Sequence, residues 1–120
     1  MIKSYKDLEV WKLSFEIAMD IFKLTRRFPQ EEVYSLTSQV VRSSRSISAN
    51  ITEGWAKRNY DGVFKHHLIH ALGSTAETTN WLDFAKECDY INENEYQRII
   101  DKIDIIGKMI TKLHQNWITK

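Results

Sequence analysis

The sequence predicts an all-α fold, an antiparallel up-and-down four-helix bundle, on three observations. Apolar residues recur at spacings of three and four along four separate stretches. Proline occurs once and glycine four times in 120 residues, so little interrupts a helix. The breaks fall at Phe28-Pro29, at Asn59-Tyr60-Asp61-Gly62 and just before Asn92, leaving connections short enough to join antiparallel neighbours. The predicted helices cover residues 7–27, 36–58, 62–88 and 93–117 of a single domain spanning 1–120.

In the first helix Leu8, Trp11, Phe15, Ala18 and Phe22 form one apolar line, with Leu13, Ile17, Ile21 and Leu24 as a second beside it. Phe28, preceding proline, is pushed out of the α region and ends it. The second helix carries Leu36, Val40, Ile47, Ile51 and Trp55 on one line. Ser43, Ser44, Ser48 and Ala49 are small enough to let a neighbour approach. Gly54 costs about 1 kcal/mol relative to alanine and implies a close contact or a bend. Asp61 is the expected N-cap of the third helix, whose core line is Phe64, Leu68, Ala71, Leu72, Thr75, Leu82 and Ala85. A second line, His66, His70, Gly73, Glu77, Trp81 and Phe84, mixes polar groups with aromatics. Asn92 and Glu95 have the spacing of a capping box for the fourth helix. Its seam of Ile99, Ile103, Ile106, Ile110, Leu113 and Trp117 leaves Ile100, Ile105 and Met109 outside.

A core-facing stripe is typically a little over 100° wide. The apolar arcs of the first and fourth helices span about twice that at 100° per residue. A second chain is the simplest cover, which predicts a homo-oligomer. One cysteine, Cys88, excludes an internal disulfide and is expected to be a small buried hydrophobe. The first residues lack the apolar core of a secretory signal, and no run reaches the roughly 18 apolar residues of a membrane span. The expected location is cytoplasmic, with no membrane partner.

No phosphate loop, Cys-x-x-Cys pair or nucleophile elbow is present, so no catalytic residue is assigned. His66 and His70 share a helix face at the spacing of two metal ligands. Glu77 lies seven residues beyond His70, about 10 Å along the axis and out of reach of a shared ion. The histidines are therefore read as solvated or interface groups, and no metal or cofactor is expected. Net charge is only +1, but residues 36–58 carry Arg42, Arg45, Lys57 and Arg58 against Glu53 alone. That patch, with Trp55 and Tyr60 nearby, is the candidate for phosphate contact and base stacking. Its bland counterpart is a solvated face, or salt bridges to the acidic third helix.

Several motifs together resemble the four-helix-bundle family also called the 23S ribosomal-RNA intervening-sequence proteins. They are Leu8-Glu9-Val10-Trp11, Leu36-Thr37-Ser38-Gln39, Arg42-Ser43-Ser44-Arg45-Ser46-Ile47 and Ala49-Asn50-Ile51-Thr52-Glu53-Gly54. Ala76-Glu77-Thr78, Trp81-Leu82-Asp83-Phe84-Ala85 and Tyr90-Ile91 look like its later motifs. The resemblance implies a homopentameric ring, and a related branch, the accessory variability protein of diversity-generating retroelements, implies nucleic-acid binding. The family's paired arginines after the second-helix glutamine are here Val41 and Arg42.

The expected function is a non-enzymatic scaffold, a homopentamer with RNA or DNA affinity through Arg42, Arg45, Lys57 and Arg58. The alternative is an adaptor that binds a protein partner along His70, Glu77, Trp81 and Phe84. Those four residues, with Ile105 and Met109, are the interface candidates.

Overall fold

The computed structural model describes residues 1–117. Its four long helices are α1 (Glu9–Thr25), α2 (Leu36–Ala56), α3 (Asp61–Glu87) and α4 (Glu93–Asn116). Short 3₁₀ turns at Tyr5–Asp7 and Gln30–Glu32 precede α1 and α2.

Cross-helix partners fix the directions. Between α2 and α3, Arg42 meets Glu77, Ser46 meets Ser74 and Asn50 meets His67, so one sequence rises as the other falls. Between α3 and α4, Lys86 pairs with Glu93 at one end, and the Phe64 and Trp117 rings pack at the other. Between α4 and α1, Glu95 holds Arg27 and Lys102 reaches Glu16 and Asp20. Each of these pairs is antiparallel, which makes α1 and α2 antiparallel too. The product is an up-and-down bundle in the cyclic order α1, α2, α3, α4.

Ile17, Ile21, Ile47, Ile51, Phe64, Leu68, Leu82, Ile99, Ile106 and Ile110 fill its axis. The α2–α3 seam is the tightest. A Cβ at Gly54 would lie 2.9 Å from His67 Cβ and 3.1 Å from Phe64 Cδ1, so this glycine permits a close approach rather than a bend. Buried hydroxyls in the seam are satisfied: Thr78 Oγ1 lies 2.7 Å from the Ser74 carbonyl and 2.9 Å from Ser43 Oγ.

The capping box predicted for α4 is present. The Asn92 side chain accepts from Glu95 N–H at 2.8 Å, and Glu95 accepts from Asn92 N–H at 3.0 Å. Several expectations need correction. Asp7 and Leu8 are not part of α1, because a second capping box between Ser4 and Asp7 winds residues 5–7 into the 3₁₀ turn and Leu8 is extended. At the other end, α1 stops at Thr25, whose hydroxyl bonds back to the Phe22 carbonyl at 2.7 Å. The helix α2 stops at Ala56, and Lys57 and Arg58 form the following turn. Asp61 is the first residue of α3 and not its cap. The cap position belongs to Tyr60, and Asp61 instead pairs with Lys65 at 3.6 Å.

The inward face of α1 also differs. Val10, Ser14, Ile17, Ala18, Ile21 and Thr25 are buried, so the inward face takes residues from both apolar lines, and Phe15 of the first line is half exposed. Leu72 is exposed, because the α3–α4 crossing leaves it beside Gly107 at the rim. Cys88 is exposed as well, since the chain turns there through Asp89 at φ 63°. Tyr90 N–H then reaches the Ala85 carbonyl at 2.9 Å and Asp89 N–H the Lys86 carbonyl at 3.0 Å, a Schellman ending.

Candidate functional site

The sequence-derived site residues separate into distinct places. Arg42 and Arg45 diverge from the same stretch of α2. Arg42 turns toward α3, forms an ion pair with Glu77, and donates to Gln39 Oε1 at 3.0 Å. Glu77 also accepts from Trp81 Nε1 at 3.1 Å. Two predicted sites, the basic patch and the third-helix seam, thus meet in one polar cluster.

Arg45 turns the other way, with its guanidinium 5.3 Å from the Phe22 ring centre, and Arg26 sits 5.1 Å from the same ring. Lys57 pairs with Glu53 at 3.5 Å. Arg58 lies 4.3 Å over the Trp55 ring and donates to the Trp55 carbonyl at 3.0 Å. Two of the four basic candidates therefore face a carboxylate, and the other two lie on aromatic faces.

Beside the cluster, Tyr34, Leu36, Gln39, Trp81, Phe84 and Cys88 line a hollow of about 400 Å³. Tyr34 is 94% exposed and Phe84 53%. Glu32 lies at the edge, accepting from Ser35 Oγ and from Tyr90 Oη at 2.8 Å. Those bonds, the Ser35 one first, hold its carboxyl below the usual range, while Glu32 pushes the Tyr90 phenol up to about 12.

Further apolar surface lies on several sides of the bundle, two of them opposite each other. On the α1–α2 side, Tyr5, Trp11 and Phe15 follow one another at ring distances of 5.2 Å, with Met19 exposed one turn on. On the α3–α4 side a groove of about 740 Å³ exposes Leu72 beside Gly107, over buried Thr75 and Ile103, and is otherwise edged by polar and charged side chains that include Asp104, Lys108 and Lys112. Exposed Ile69 lies beside its continuation toward His114. Of the predicted interface candidates, Ile105 is 52% exposed, and Met109 is half-buried where Leu8 and Leu113 line a further groove.

His66 and His70 lie outside all of these. Their Nε2 atoms are 2.9 Å apart on the outer face of α3. His67 points elsewhere: its Nδ1 is 3.2 Å from Asn50 Oδ1, and burial pulls its pKa down. Among the described residues, no three His, Cys, Asp or Glu side chains converge as a metal site. No helix of the described residues is long and apolar enough to cross a membrane.

The sequence matches the family described as 23S rRNA-intervening sequence protein over residues 6–112. The chain belongs to that family. The match takes in all of α1, α2 and α3 and most of α4. A search of curated proteins gives no match. Among solved structures, the chain is similar to a protein of unknown function from the S23 ribosomal protein family of Bacteroides thetaiotaomicron VPI-5482. The two share 28% identity at a TM-score of 0.81, over 89% of this chain and 96% of that one.

Reading the sequence missed the Arg26–Phe22–Arg45 stack and the hollow around Tyr34. The stack unites residues from two helices and has no linear signal. Tyr34 follows the proline break, where periodicity carries no information.

Proposed function

We propose that this 23S rRNA-intervening sequence family member is a non-catalytic scaffold that assembles head-to-tail into a closed ring of identical chains, a pentamer as the family resemblance implies. One observation carries the reading: two different apolar surfaces lie on opposite faces of the bundle. The strip exposes Phe15 and Met19 beside half-buried Tyr5 and Trp11, and the α3–α4 groove sets exposed Leu72 beside Gly107 between Asp104, Lys108 and Lys112. Surfaces that are complementary but not self-complementary generate heterologous contacts, which close into rings when the rotation permits. Burying the strip in the groove removes both from water at about 25 cal/mol per Å².

Nucleic-acid affinity is the second clause. It is supported by Arg26, Arg45 and Arg58, whose guanidinium groups lie on aromatic rings, and a ring would repeat them about its axis. Arg42 and Lys57 contribute less, because Glu77 and Glu53 offset their charge. The adaptor reading is supported by the exposed rings of Tyr34 and Phe84 around the hollow at Trp81.

Two variants test the ring. Phe15→Glu spoils the strip and leaves the groove. Leu72→Glu spoils the groove and leaves the strip. Each alone is expected to be monomeric by light scattering, and their mixture should form a one-to-one pair and nothing larger. Retention of the wild-type mass by both variants refutes the assembly. Loss of RNA retention at low salt in an Arg26→Glu, Arg45→Glu variant supports the nucleic-acid clause, and unchanged retention removes it.

A further inference from the structure

His66 and His70 take no part in the core, the polar cluster or the proposed ring surfaces. They stand one helical turn apart and both are exposed, with ring planes 79° to each other and Nε2 atoms 2.9 Å apart. Bound side by side to one ion at about 2.05 Å, two nitrogens at a right angle lie about 2.9 Å apart. In the metal-free chain the two Nε2 atoms share a hydrogen bond at a distance that is also the separation of neighbouring ligands on a square-planar or octahedral ion, so an ion would replace the shared proton once small ring rotations aim both nitrogens at it.

Access is open. Gly62, one turn before His66, and Gly73, three residues after His70, have nothing within 4 Å of where a Cβ would stand. Water can complete the coordination from that side. Other groups are occupied: Glu77 holds Arg42 and Trp81, and His67 turns to Asn50 and Glu53. An N₂ set completed by water favours the late first-row divalent ions, with Cu²⁺ the tightest, over the oxygen-seeking Mg²⁺ and Ca²⁺.

We propose that His66 and His70 form a two-imidazole surface site for one late first-row divalent cation per chain, Cu²⁺ most tightly. Both rings bind as neutral ligands through Nε2, with no third protein ligand.

The test uses untagged full-length protein carrying Cys88→Ser, because the exposed thiol would itself reduce or bind Cu²⁺. Cu²⁺ is titrated by calorimetry, and the bound form is read by electron paramagnetic resonance. The expected result is one equivalent per chain with the hyperfine pattern of two imidazole nitrogens. His66→Ala and His70→Ala should each weaken binding about tenfold or more. His67→Gln should leave affinity and spectrum unchanged. Circular dichroism of each variant confirms that the helices persist. Unchanged Cu²⁺ affinity in the His66→Ala, His70→Ala double variant overturns the proposal, as does a spectrum that survives in it.

Discussion

Replacing Gly54 by alanine sets two physical effects of opposite sign against each other. Alanine in place of glycine in a helix interior contributes about 1 kcal/mol of stability from propensity alone. At Gly54 the new methyl would stand 2.9 Å from His67 Cβ and 3.1 Å from Phe64 Cδ1. Carbon atoms in contact prefer about 3.5–4.0 Å, so α2 and α3 must part by roughly 0.5–1 Å. His67 Cβ is anchored to backbone and Phe64 is fully buried, so neither yields cheaply. Overpacking of this kind costs about 1–3 kcal/mol. The net expectation is a loss of about 1 kcal/mol. Gly73→Ala is the internal standard, because nothing lies within 4 Å of its Cβ position. There propensity acts unopposed, and a gain of about 0.5–1 kcal/mol is expected. Urea unfolding at one fixed protein concentration measures both, with equal slopes and midpoints displaced in opposite directions. A Gly54→Ala protein stabilised as much as Gly73→Ala would refute the claim that α2 and α3 touch through this glycine.

Asp89→Gly should stabilise the protein by about 0.5–1 kcal/mol in thermal or urea unfolding, because Asp89 holds φ at 63° in the Schellman turn and glycine does so without steric cost. Arg27, and then the Asn92 N–H, hold the Glu95 carboxyl below its ordinary 4.5. Its stabilisation is present above pH 4.5 and is lost as pH falls through the lowered folded value. Glu95→Gln retains a capping side chain but no charge, so stability below pH 4.5 should fall less steeply than in the wild type. The Asp83 carboxylate holds the Tyr96 phenol up at about 12 from an ordinary 10.0. This contribution is complete below pH 10.0 and fades as pH rises toward 12, so Tyr96→Phe should flatten the alkaline limb of the stability profile. Tyrosinate absorbance during alkaline titration should show Tyr90 and Tyr96 ionising last.

The apolar lines of α2 and α4 were legible because α2 has one apolar stripe and α4 repeats isoleucine at a regular spacing of three and four. Leu36, Val40, Ile47, Ile51 and Trp55 all face inward, and so do Ile99, Ile103, Ile106 and Ile110. The helix α1 was ambiguous because two apolar stripes lie side by side. The buried face draws Ala18 from one stripe and Ile17 and Ile21 from the other, and adds Ser14 and Thr25, which a hydrophobic pattern does not mark. Which of the two stripes faces inward was left open, and the surplus of apolar surface was the reason to expect association. The basic residues of α2 were legible as a group, but their partners were not. Whether Arg42 meets Glu77 while Arg45 meets Phe22 depends on the rotation of three helices about their axes. The spacing of His66 and His70 was visible in the sequence, whereas the side-chain rotamers that bring their Nε2 atoms to 2.9 Å were not.

The central claim is that the outward aromatic strip of α1 is covered by another copy of the chain. Light scattering on the untagged wild-type protein, diluted stepwise through the micromolar range, tests it most directly. The account predicts a single species whose mass is a fixed multiple of 14.2 kDa and does not fall on moderate dilution. A homogeneous 14.2 kDa particle at every concentration would contradict it, leaving Phe15, Met19 and Leu72 as ordinary wetted side chains.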